Sequence, residues 1–480
     1  MLSVEIVDGD LIIGLGDVYE LAAVVVATDG AGDEVEWTTS DPDTVSFVGN
    51  GPRFVLVEGA SYGSSEITAT STFDPSKSDT ITVTVTEFPP GAVVWTREFG
   101  AGFDGIATAV AGDAEGDLLV AGYFDPTGEF ISQALDAFLV KLDPSGDPVW
   151  SRLIATTTYD EATAVAVDGD GNTLVAGVTA GDLAGSGGGN DAFVRKYFAT
   201  GDVVWTRQFG ATEFDRANGV ATDQDGNVIV VGTTLGVLGA ANAGGYDGFV
   251  RKYDPDGAEL WTRQFGSEAQ DYGWAVAVDA AGDIFVAGTT AGSLVGENRG
   301  GWDLYVRKYD SDGLPLWTRQ LGSSATEGGS GLAIAADADG NVTVVASTYG
   351  SISEDNQGDS DVFVLKLDGA GNVLWQRQFG TAEGDDPRGV AVDALGNIFV
   401  AGNTRGDLAG TQGDRDAFLR AYAADGFVRW TRQFGVSAPG DFATASAVTV
   451  DALGRLVVVG ATGDRKVWGG TSYYVRLYGP

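Results

Sequence analysis

The chain has 480 residues, a formal net charge of −40 and 44% apolar residues. This length and apolar content predict two or more folded units rather than a disordered polymer. The excess of acid argues against nucleic acids and anionic membrane surfaces as partners, because both carry the same sign of charge. Cysteine and histidine are both missing from the sequence, which excludes disulfides, thiolate metal sites and histidine-dependent catalysis.

No run of about eighteen apolar residues is available to cross a bilayer, so we expect no membrane insertion. The first residues, MLSVEIVDGDLIIGLGD, lack the basic region and the small-residue cleavage site of a secretory signal. No export signal can therefore be recognised in the sequence.

Residues 1–88 show short alternating runs such as RFVLVEG, SSEITATS and TITVTVTE, which predict half-buried antiparallel strands. Seven or so strands in about 90 residues are typical of a β-sandwich, and Trp37 is expected in its core. The order of VEWTTSDPDTV, EGASYGSSEITATS and SDTITVTV resembles the bacterial Ig-like group 2 family. That resemblance implies a spacer or adhesion module on a prokaryotic surface protein. It implies no ligand.

Residues 89–92, with the sequence PPGA, are predicted to form a linker before the rest of the chain. From residue 93 onward, one phrase, which reads WTRQFG in three copies and varies in the others, recurs every 55 to 58 residues. Its seven copies begin at Trp95, Trp150, Trp205, Trp261, Trp317, Trp375 and Trp430. A period of this length predicts a repeat architecture.

Each repeat has four strand-like runs, as in DRANGVATD, VIVVGTT, DGFVRKYD and ELWTRQFG. Six or more four-stranded units in succession predict a β-propeller, with small residues in each first strand and large ones in each fourth strand. The chain ends on a third strand, and the first phrase has no unit before it. We therefore expect seven blades, the last built from three C-terminal strands and one N-terminal strand.

The phrases WTRQFG, DAFVRKY and AVAVDxxGN are similar to the SBBP family of β-propeller repeats over residues 93–480. That family is found mainly in secreted or surface proteins of bacteria and archaea, and the resemblance implies no single activity. The fold class is thus predicted to be all-β, an Ig-like β-sandwich followed by a seven-bladed β-propeller.

The Trp and Arg of each phrase are expected to pack against the neighbouring blade, with Arg reaching a carboxylate. The predicted partners are the acids that open the third strands, Asp136, Asp191, Asp247, Asp303, Asp361 and Asp416. The Asp-x-x-Gly-Asn segments, such as that beginning at Asp223, have the spacing of cation-binding loops but lack the bidentate Glu. A tight hairpin turn is the favoured interpretation.

An acid also stands at the start of each first strand, where a closed propeller would gather the acids around one mouth of its channel. These candidate cation ligands are Asp104, Asp160, Asp215, Asp271, Glu327, Asp385 and Asp441. Like charges so arranged repel unless a cation lies among them, and calcium is the candidate cation. The favoured interpretation is that each acid caps its own loop and stays solvated.

The long loops between second and third strands are variable and rich in glycine, as in LGVLGAANAGGY, and loops of this kind commonly carry function. Aromatic residues near them could stack on sugar rings, with packing at the rim of the fold as the alternative. The candidate ligand-binding residues are Tyr246, Trp302, Trp468, Tyr272 and Trp274.

These features favour a non-enzymatic extracellular or cell-surface protein that binds a partner, or serves as a scaffold, through its acidic, loop-bearing face. The expected partner is a surface glycan, a protein or a second copy of the chain, and no catalytic residue is assigned. One alternative is a carboxylate-dependent polysaccharide lyase or glycosidase. Another is a structural subunit of a surface filament or layer.

Overall fold

The computed structural model describes residues 3–7, 11–14, 18–26, 34–61, 63–86, 92–99, 105–126, 135–184, 189–329, 331–410, 414–435, 441–464 and 471–479. Within these ranges the regular secondary structure is all β, with no α-helix. No helix of the described part has the length and apolarity to cross a membrane. Contacts divide the chain into two compact units, Met1–Val94 with Leu477–Pro480, and Trp95–Arg476.

The first unit contains eight strands in two four-stranded sheets, ordered β1-β3-β6-β5 and β2-β8-β7-β4. The strands are β1 Ser3–Ile6, β2 Leu11–Gly14, β3 Val18–Val26, β4 Val35–Thr39, β5 Val45–Asn50, β6 Phe54–Gly59, β7 Gly63–Ser71 and β8 Ser78–Thr86. Alternate residues of both sheets enter one apolar core, which includes Val57, Ile67 and Trp37. Trp37 is therefore a core residue, as its sequence context predicts.

The second unit contains seven four-stranded sheets, called sheets 1 to 7 in chain order. Sheets 1 to 3 are formed by β10 Gly105–Gly112, β11 Leu118–Phe124, β12 Asp136–Leu142, β13 Pro148–Ile154, β14 Asp160–Val167, β15 Thr173–Thr179, β16 Asp191–Tyr197, β17 Val203–Phe209, β18 Asp215–Thr222, β19 Val228–Thr234, β20 Asp247–Tyr253 and β21 Glu259–Phe265. Each of these three sheets pairs its strands antiparallel in chain order.

Sheets 4 to 6 are formed by β22 Asp271–Val278, β23 Ile284–Thr290, β24 Asp303–Tyr309, β25 Pro315–Leu321, β26 Ala333–Ala336, β27 Val342–Thr348, β28 Asp361–Leu367, β29 Val373–Phe379, β30 Asp385–Val392, β31 Ile398–Thr404, β32 Asp416–Tyr422 and β33 Val428–Phe434. Sheet 7 comprises β34 Asp441–Val450, β35 Leu456–Asp464, β36 Ser472–Tyr478 and, as its fourth strand, β9 Val93–Phe99. The last sheet therefore combines strands from both ends of the repeat region.

The first strand of each sheet contacts the first strand of the next sheet, and β34 of sheet 7 contacts β10 of sheet 1. Small side chains permit this approach: Gly219 of β18 is one residue whose added Cβ would lie 3.3 Å from the backbone nitrogen of Val276 in sheet 4. Between neighbouring sheets lie apolar layers, such as Leu174 and Val194 packed with Val230 and Phe249. The sheets thus pack face to face, with the first strands of neighbouring sheets in contact.

Candidate functional site

A repeated hydrogen bond joins neighbouring sheets at the end where the first strands begin. The backbone amide that opens a first strand donates to the carbonyl of the residue just before the third strand of the preceding sheet. Examples are Asp215 to Asn190 at 2.8 Å and Asp271 to Tyr246 at 2.7 Å. Glu327, which lies before the start of β26, makes the same bond to Trp302 at 2.7 Å. The same bond joins Gly105 of sheet 1 to Thr471 of sheet 7 at 3.5 Å. We call this end of the second unit the loop end. Hydrogen bonds between sheets hold its backbone in place, while the side chains there vary from sheet to sheet.

Five of the predicted cation ligands occupy the same register position, and all five are fully buried: Asp160, Asp215, Asp271, Glu327 and Asp385. Each accepts a hydrogen bond from the backbone amide four residues earlier, as Asp271 Oδ2 does from Ser267 at 2.6 Å. Asp441 is half-exposed and lies two residues before this position, which Ala443 occupies in sheet 7. Asp104 lies outside the described residues.

Burial raises the pKa of four of these carboxyls, Asp215, Asp271, Glu327 and Asp385. In each case the aspartate that opens the third strand of the preceding sheet adds a smaller upward effect on the pKa, and nearby hydroxyl and amide donors oppose both. No group of three or more acids in the described ranges has the geometry to hold a metal ion. The carboxylates are used as acceptors for the turns that precede the first strands.

The glycine that ends the repeated phrase allows two buried acids, one from a third strand and one from the next first strand, to approach the same point. A Cβ added at Gly266 would lie 2.2 Å from Asp247 Oδ1 and 3.2 Å from Asp271 Oδ2. Any larger residue would therefore push against a carboxylate from each of two neighbouring sheets. The glycine is required by space at this junction.

Among the described residues, the arginines of the phrase donate to backbone carbonyls and not to the predicted carboxylates, so that prediction is wrong. Arg263 lies over Trp261, 5.2 Å from the ring centroid, and its Nε donates to the carbonyl of Gly313 in the next sheet at 2.8 Å. The carbonyls of a tight turn lack partners within their own hairpin, so they can accept from the fork-shaped guanidinium. Asp247, the predicted partner, instead accepts a hydrogen bond from Gln264 at 2.9 Å.

The glutamine of the phrase anchors the long loop, a role that the sequence reasoning missed. Gln264 Oε1 accepts from the amide of Leu238 at 2.8 Å, and its Nε2 also donates to the carbonyl of Gly236 at 2.9 Å. Equivalent bonds are made by Gln208, Gln320, Gln378 and Gln433. The signal was the recurrence of glutamine in this place in five copies of the phrase.

At the opposite end of the sheets, the Asp-x-x-Gly-Asn segments form hairpin turns, as their interpretation from sequence predicts. Asp223 Oδ1 accepts from the amides of Asp225 and Asn227, and Gly226 has φ of 76°. The second oxygen of Asp223 lies 2.9 Å from the buried ammonium of Lys252. A lysine therefore supplies the positive charge beside this carboxylate.

Four of the five candidate ligand-binding residues form one aromatic cluster at the loop end. The ring centroid of Tyr272 lies 5.1 Å from Tyr246, 5.4 Å from Trp274 and 5.3 Å from Trp302. All four side chains are half-buried. We call Tyr246, Tyr272, Trp274 and Trp302 the aromatic cluster. Trp468 lies outside the described residues.

A cavity of 570 Å³ lies beside this cluster. Its lining includes one residue from the first strand of every sheet: Thr108, Thr163, Asn218, Trp274, Ala333, Arg388 and Thr444. We call it the axial cavity. Trp274 belongs both to this lining and to the aromatic cluster, so the cluster runs from the long loops to the cavity.

An ion pair fixes part of the cavity wall. Both terminal nitrogens of Arg216 donate to Glu161, at 2.9 and 2.6 Å, and Nε donates to Asn218 at 3.0 Å. The hydroxyl of Tyr159 donates to the same glutamate. Burial raises the pKa of the nearby Tyr123 to about 12, with the charge of Glu161 adding to the shift, so its phenol stays protonated at neutral pH.

A larger cavity, of 840 Å³, lies among the loops of sheets 4 and 5. Arg299, Tyr349 and Asn356 contribute to its lining, which contains no pair of stacked aromatic rings among the described residues. The axial cavity is therefore the better candidate for a ligand that stacks on aromatic side chains.

The family model described as "Beta-propeller repeat", SBBP, matches residues 149–184, 204–239, 260–294 and 374–409. Regulatory protein FlaEY of Caulobacter vibrioides is 31% identical over 157 residues, which is 29% of this chain and 16% of that protein. An uncharacterized WD repeat-containing protein of Acanthamoeba polyphaga mimivirus is 24% identical over 34% of this chain and 15% of its own length. The matched segments thus span about a sixth of these relatives.

Among solved structures, an ulvan lyase has a TM-score of 0.43 at 11% identity, covering 78% of this chain and 95% of its own. The α-L-arabinofuranosidase of Fusarium graminearum has a TM-score of 0.42 at 11% identity, covering 65% and 91%. Domains 5–6 of the S-layer protein SbsC have a TM-score of 0.17 at 14% identity, covering 43% and 96%. None of these likenesses bears on the activity of this chain. What the family match and the repeated four-stranded sheets establish is a β-propeller that carries SBBP repeats at four positions.

Proposed function

We propose that this chain is a non-enzymatic binding or scaffold protein of a cell surface or extracellular matrix, and that it binds a glycan at the loop end of its propeller. The observation that carries the proposal is the aromatic cluster, whose rings are half-buried and mounted on anchored backbone. Half-exposed Trp and Tyr offer large apolar faces at low entropic cost, and sugar rings stack on such faces.

The architecture supports this role. We infer that the seven sheets are seven blades of a closed ring, because β34 contacts β10 and because all seven first strands line the axial cavity. The N-terminal unit is proposed to be an Ig-like spacer, on the basis of its two sheets around Trp37 and its sequence resemblance. A rigid ring with variable loops on a spacer is suited to presenting one binding face.

Binding accounts for the cavity better than glycoside cleavage does. Cleavage needs two carboxyl groups about 5 to 10 Å apart, one of which stays free to transfer a proton. Within the described lining of the axial cavity the carboxylate is Glu161, and both of its oxygens bind Arg216. The lyase or glycosidase alternative would therefore require Glu161 to leave its ion pair.

A broad glycan array tests the proposal, with the intact chain applied once with calcium and once with chelator. We expect specific binding that is lost in the Tyr246→Ala/Trp302→Ala double variant. The matched control is Phe427→Ala, because Phe427 is an exposed aromatic residue in a turn at the opposite end of sheet 6. A difference between the two runs would support the predicted role of calcium. No binding in either run would refute glycan binding and favour protein partners or self-assembly.

A further inference from the structure

The cavity of 840 Å³ among the loops of sheets 4 and 5, which we call the loop cleft, lies where a repeated contact between sheets is replaced. At four other interfaces, an arginine of the third strand lies over the phenylalanine that ends the fourth strand of the preceding sheet, with the guanidinium carbon 4.1 to 4.9 Å from the ring centroid. The pairs are Arg251 with Phe209, Arg307 with Phe265, Arg420 with Phe379 and Arg476 with Phe434. The equivalent residues of sheets 4 and 5 are two leucines, Leu321 at the end of β25 and Leu365 in β28.

The strand beside Leu365 departs from the repeat as well. Leu365 pairs with Gln376, whereas Arg251 pairs with Thr262 and donates to its hydroxyl at 2.7 Å. The half-buried side chain of Gln376 lines the loop cleft, and its amide group makes no hydrogen bond to any residue that the structure describes. A carboxamide offers two donors and one acceptor, so these are available to a ligand in the cleft.

The smaller side chains explain why a cavity forms at this interface. Two leucines have less volume than an arginine and a phenylalanine, and a packed interface that loses atoms keeps a void unless its two sides close up. Sheets 4 and 5 are held apart by the repeated bonds of the hairpin end, where Lys308 Nζ and Trp317 Nε1 both donate to the carbonyl of Gly369 at 3.1 Å. Space is therefore left at the loop end, beside Leu321 and Gln376.

Arg299 lies on the exposed side of the loop cleft. Its backbone amide donates to Asp303 Oδ2 at 3.1 Å, which holds the base of the side chain in place. Its guanidinium makes no hydrogen bond or ion pair with any described residue, and the described lining of the cleft contains no Asp or Glu. The exposed Ser324 belongs to the same lining. A guanidinium fork, a carboxamide and a hydroxyl are suited to the neighbouring oxygens of a sugar ring.

The loop cleft adjoins the aromatic cluster. Arg299 and Trp302 lie in the same loop, and three residues of chain span at most about 11 Å. The amide of Gly301, between them, donates to the carbonyl of Ala325 at 2.9 Å, and Ala325 lines the cleft. A sugar chain that stacks on Trp302 therefore has the cleft within reach of its next residues.

We propose that the loop cleft is a second carbohydrate subsite, which takes the sugar residues that follow those stacked on the aromatic cluster. Two neighbouring oxygens of the sugar bind Arg299, and a further hydroxyl binds Gln376. This inference rests on the proposed glycan-binding function and adds to it a subsite and a dependence on ligand length. The two oxygens come either from adjacent hydroxyls of a neutral sugar or from the carboxylate of a uronic acid, so the test includes a probe for each.

The test applies the full chain to an array of oligosaccharides from dimers to hexamers, with neutral series and series that contain uronic acids. We expect apparent affinity to rise by about tenfold or more between the dimers and hexamers of a series that binds, because only the longer members reach the loop cleft. A preference for uronic acids identifies a carboxylate on Arg299, and equal or tighter binding of a neutral series identifies adjacent hydroxyls.

One variant fills the cleft with the residues of the repeat itself. Leu321→Phe/Leu365→Arg/Gln376→Thr introduces at the interface of sheets 4 and 5 the side chains that close the interface of sheets 2 and 3. It should keep or raise the melting temperature, because the same three side chains already pack together in this fold. It should lose the gain in affinity with length, while dimers bind as they do to the wild type.

Arg299→Gln should lose part of the same gain. Arg405→Gln is its matched control, because Arg405 is exposed in a loop of sheet 6 and is not part of the described lining of the cleft. A melting curve identifies a triple variant that fails to fold, and Arg299→Gln/Gln376→Thr then replaces it, because neither of these side chains is fully buried.

An unchanged gain with length in the triple variant would overturn the second subsite and leave glycan binding at the aromatic cluster standing. An equal loss for dimers and hexamers would also overturn it, because the substitutions would then act on the first contact and not on a later one. Tyr246→Ala/Trp302→Ala, by contrast, should weaken members of every length. No binding of any member of any series would remove the proposed function and this inference with it.

Discussion

The two ends of the propeller sheets differ in what they repeat. At the hairpin end, each sheet presents the same turn, and Trp261 and Lys252 both donate to the carbonyl of Ser311 in the next sheet. At the loop end, the backbone hydrogen bonds between sheets and the glutamine bonds to the long loops recur. The other side chains at this end change from sheet to sheet. Contacts that recur from sheet to sheet serve assembly, since the interfaces that share them have similar geometry. Recognition is expected where the repeat is broken, and the axial cavity and the aromatic cluster lie there.

The largest effect that we expect from this difference is a loss of stability at the hairpin end. Lys252→Met leaves the buried carboxylate of Asp223 without its cation, and breaking one side of a buried ion pair costs about 3 kcal/mol or more. Urea unfolding should therefore show a lower free energy of unfolding for the propeller, with glycan binding unchanged in the folded protein.

The double variant Lys252→Met/Asp223→Leu is the control for the ion pair itself. Because it removes both charges, it should recover part of the stability lost in the single variant. Equal unfolding free energies for the single variant and the wild type would show that the pair contributes nothing to the hairpin end.

The two ends should also respond to pH with opposite signs. Burial raises the pKa of Asp271 at the loop end, so its contribution to stability is present at acid pH and is lost as pH rises through the folded pKa. At the hairpin end, burial opposes ionisation of Asp223, but Lys252 and Asn227 hold its pKa below the ordinary value. Its contribution is present above that value and is lost as pH falls.

Unfolding of Asp271→Asn and Asp223→Asn at pH 4 and pH 7 measures this contrast. Relative to wild type, Asp271→Asn should be less destabilised at pH 7 than at pH 4, because the substitution removes a charge that is buried at a cost. Asp223→Asn should be more destabilised at pH 7, where the wild-type ion pair is fully formed. The same trend in both variants would contradict the contrast.

Much of the strand order could be predicted from the sequence, because a residue that makes a structural contact recurs in several repeats. The strand count pointed to β9 as the partner of β36, which is the pairing found in sheet 7. The partner of the arginine was assigned wrongly because charge was considered and the unpaired carbonyls of the neighbouring turn were not. Those carbonyls lie about 50 residues away in the chain, as Gly313 does from Arg263.

The candidate site was less accessible from the sequence. The sequence showed that aromatic residues lie near the loops. Their contact with one another through the ring of Tyr272 depends on how sheets 3 and 4 pack. Most first strands have a bulge, as between Ala217 and Gly219, but β34 begins two residues further from its bulge than β18 does. Asp441 was therefore grouped with acids whose register position is that of Ala443. Arg388 and Arg415 belong to no repeated pattern, so only the three-dimensional packing reveals that they share a cavity.

A moderate effect is expected from removing one anchor at the loop end. Gln264→Ala deletes the bonds to Leu238, Gly236 and Asp247, and it leaves a buried carboxylate short of a donor. The free energy of unfolding should fall by about 1–3 kcal/mol, as it does for other unsatisfied buried groups. Hydrogen exchange at the amide of Leu238 should accelerate. Unchanged exchange there would show that the loop keeps its conformation without the glutamine.

The smallest effect concerns the hydroxyl of Tyr272, which bonds to Gln270 at the surface at 3.1 Å. Tyr272→Phe keeps the ring that links Tyr246, Trp274 and Trp302, so stability should change by no more than about 0.5 kcal/mol, and glycan affinity by less than about twofold. Tyr272→Ala removes the ring and should disrupt the cluster and its binding. Equal losses in the two variants would mean that the ligand is held by the hydroxyl, and the cluster would then act through hydrogen bonding rather than through its aromatic faces.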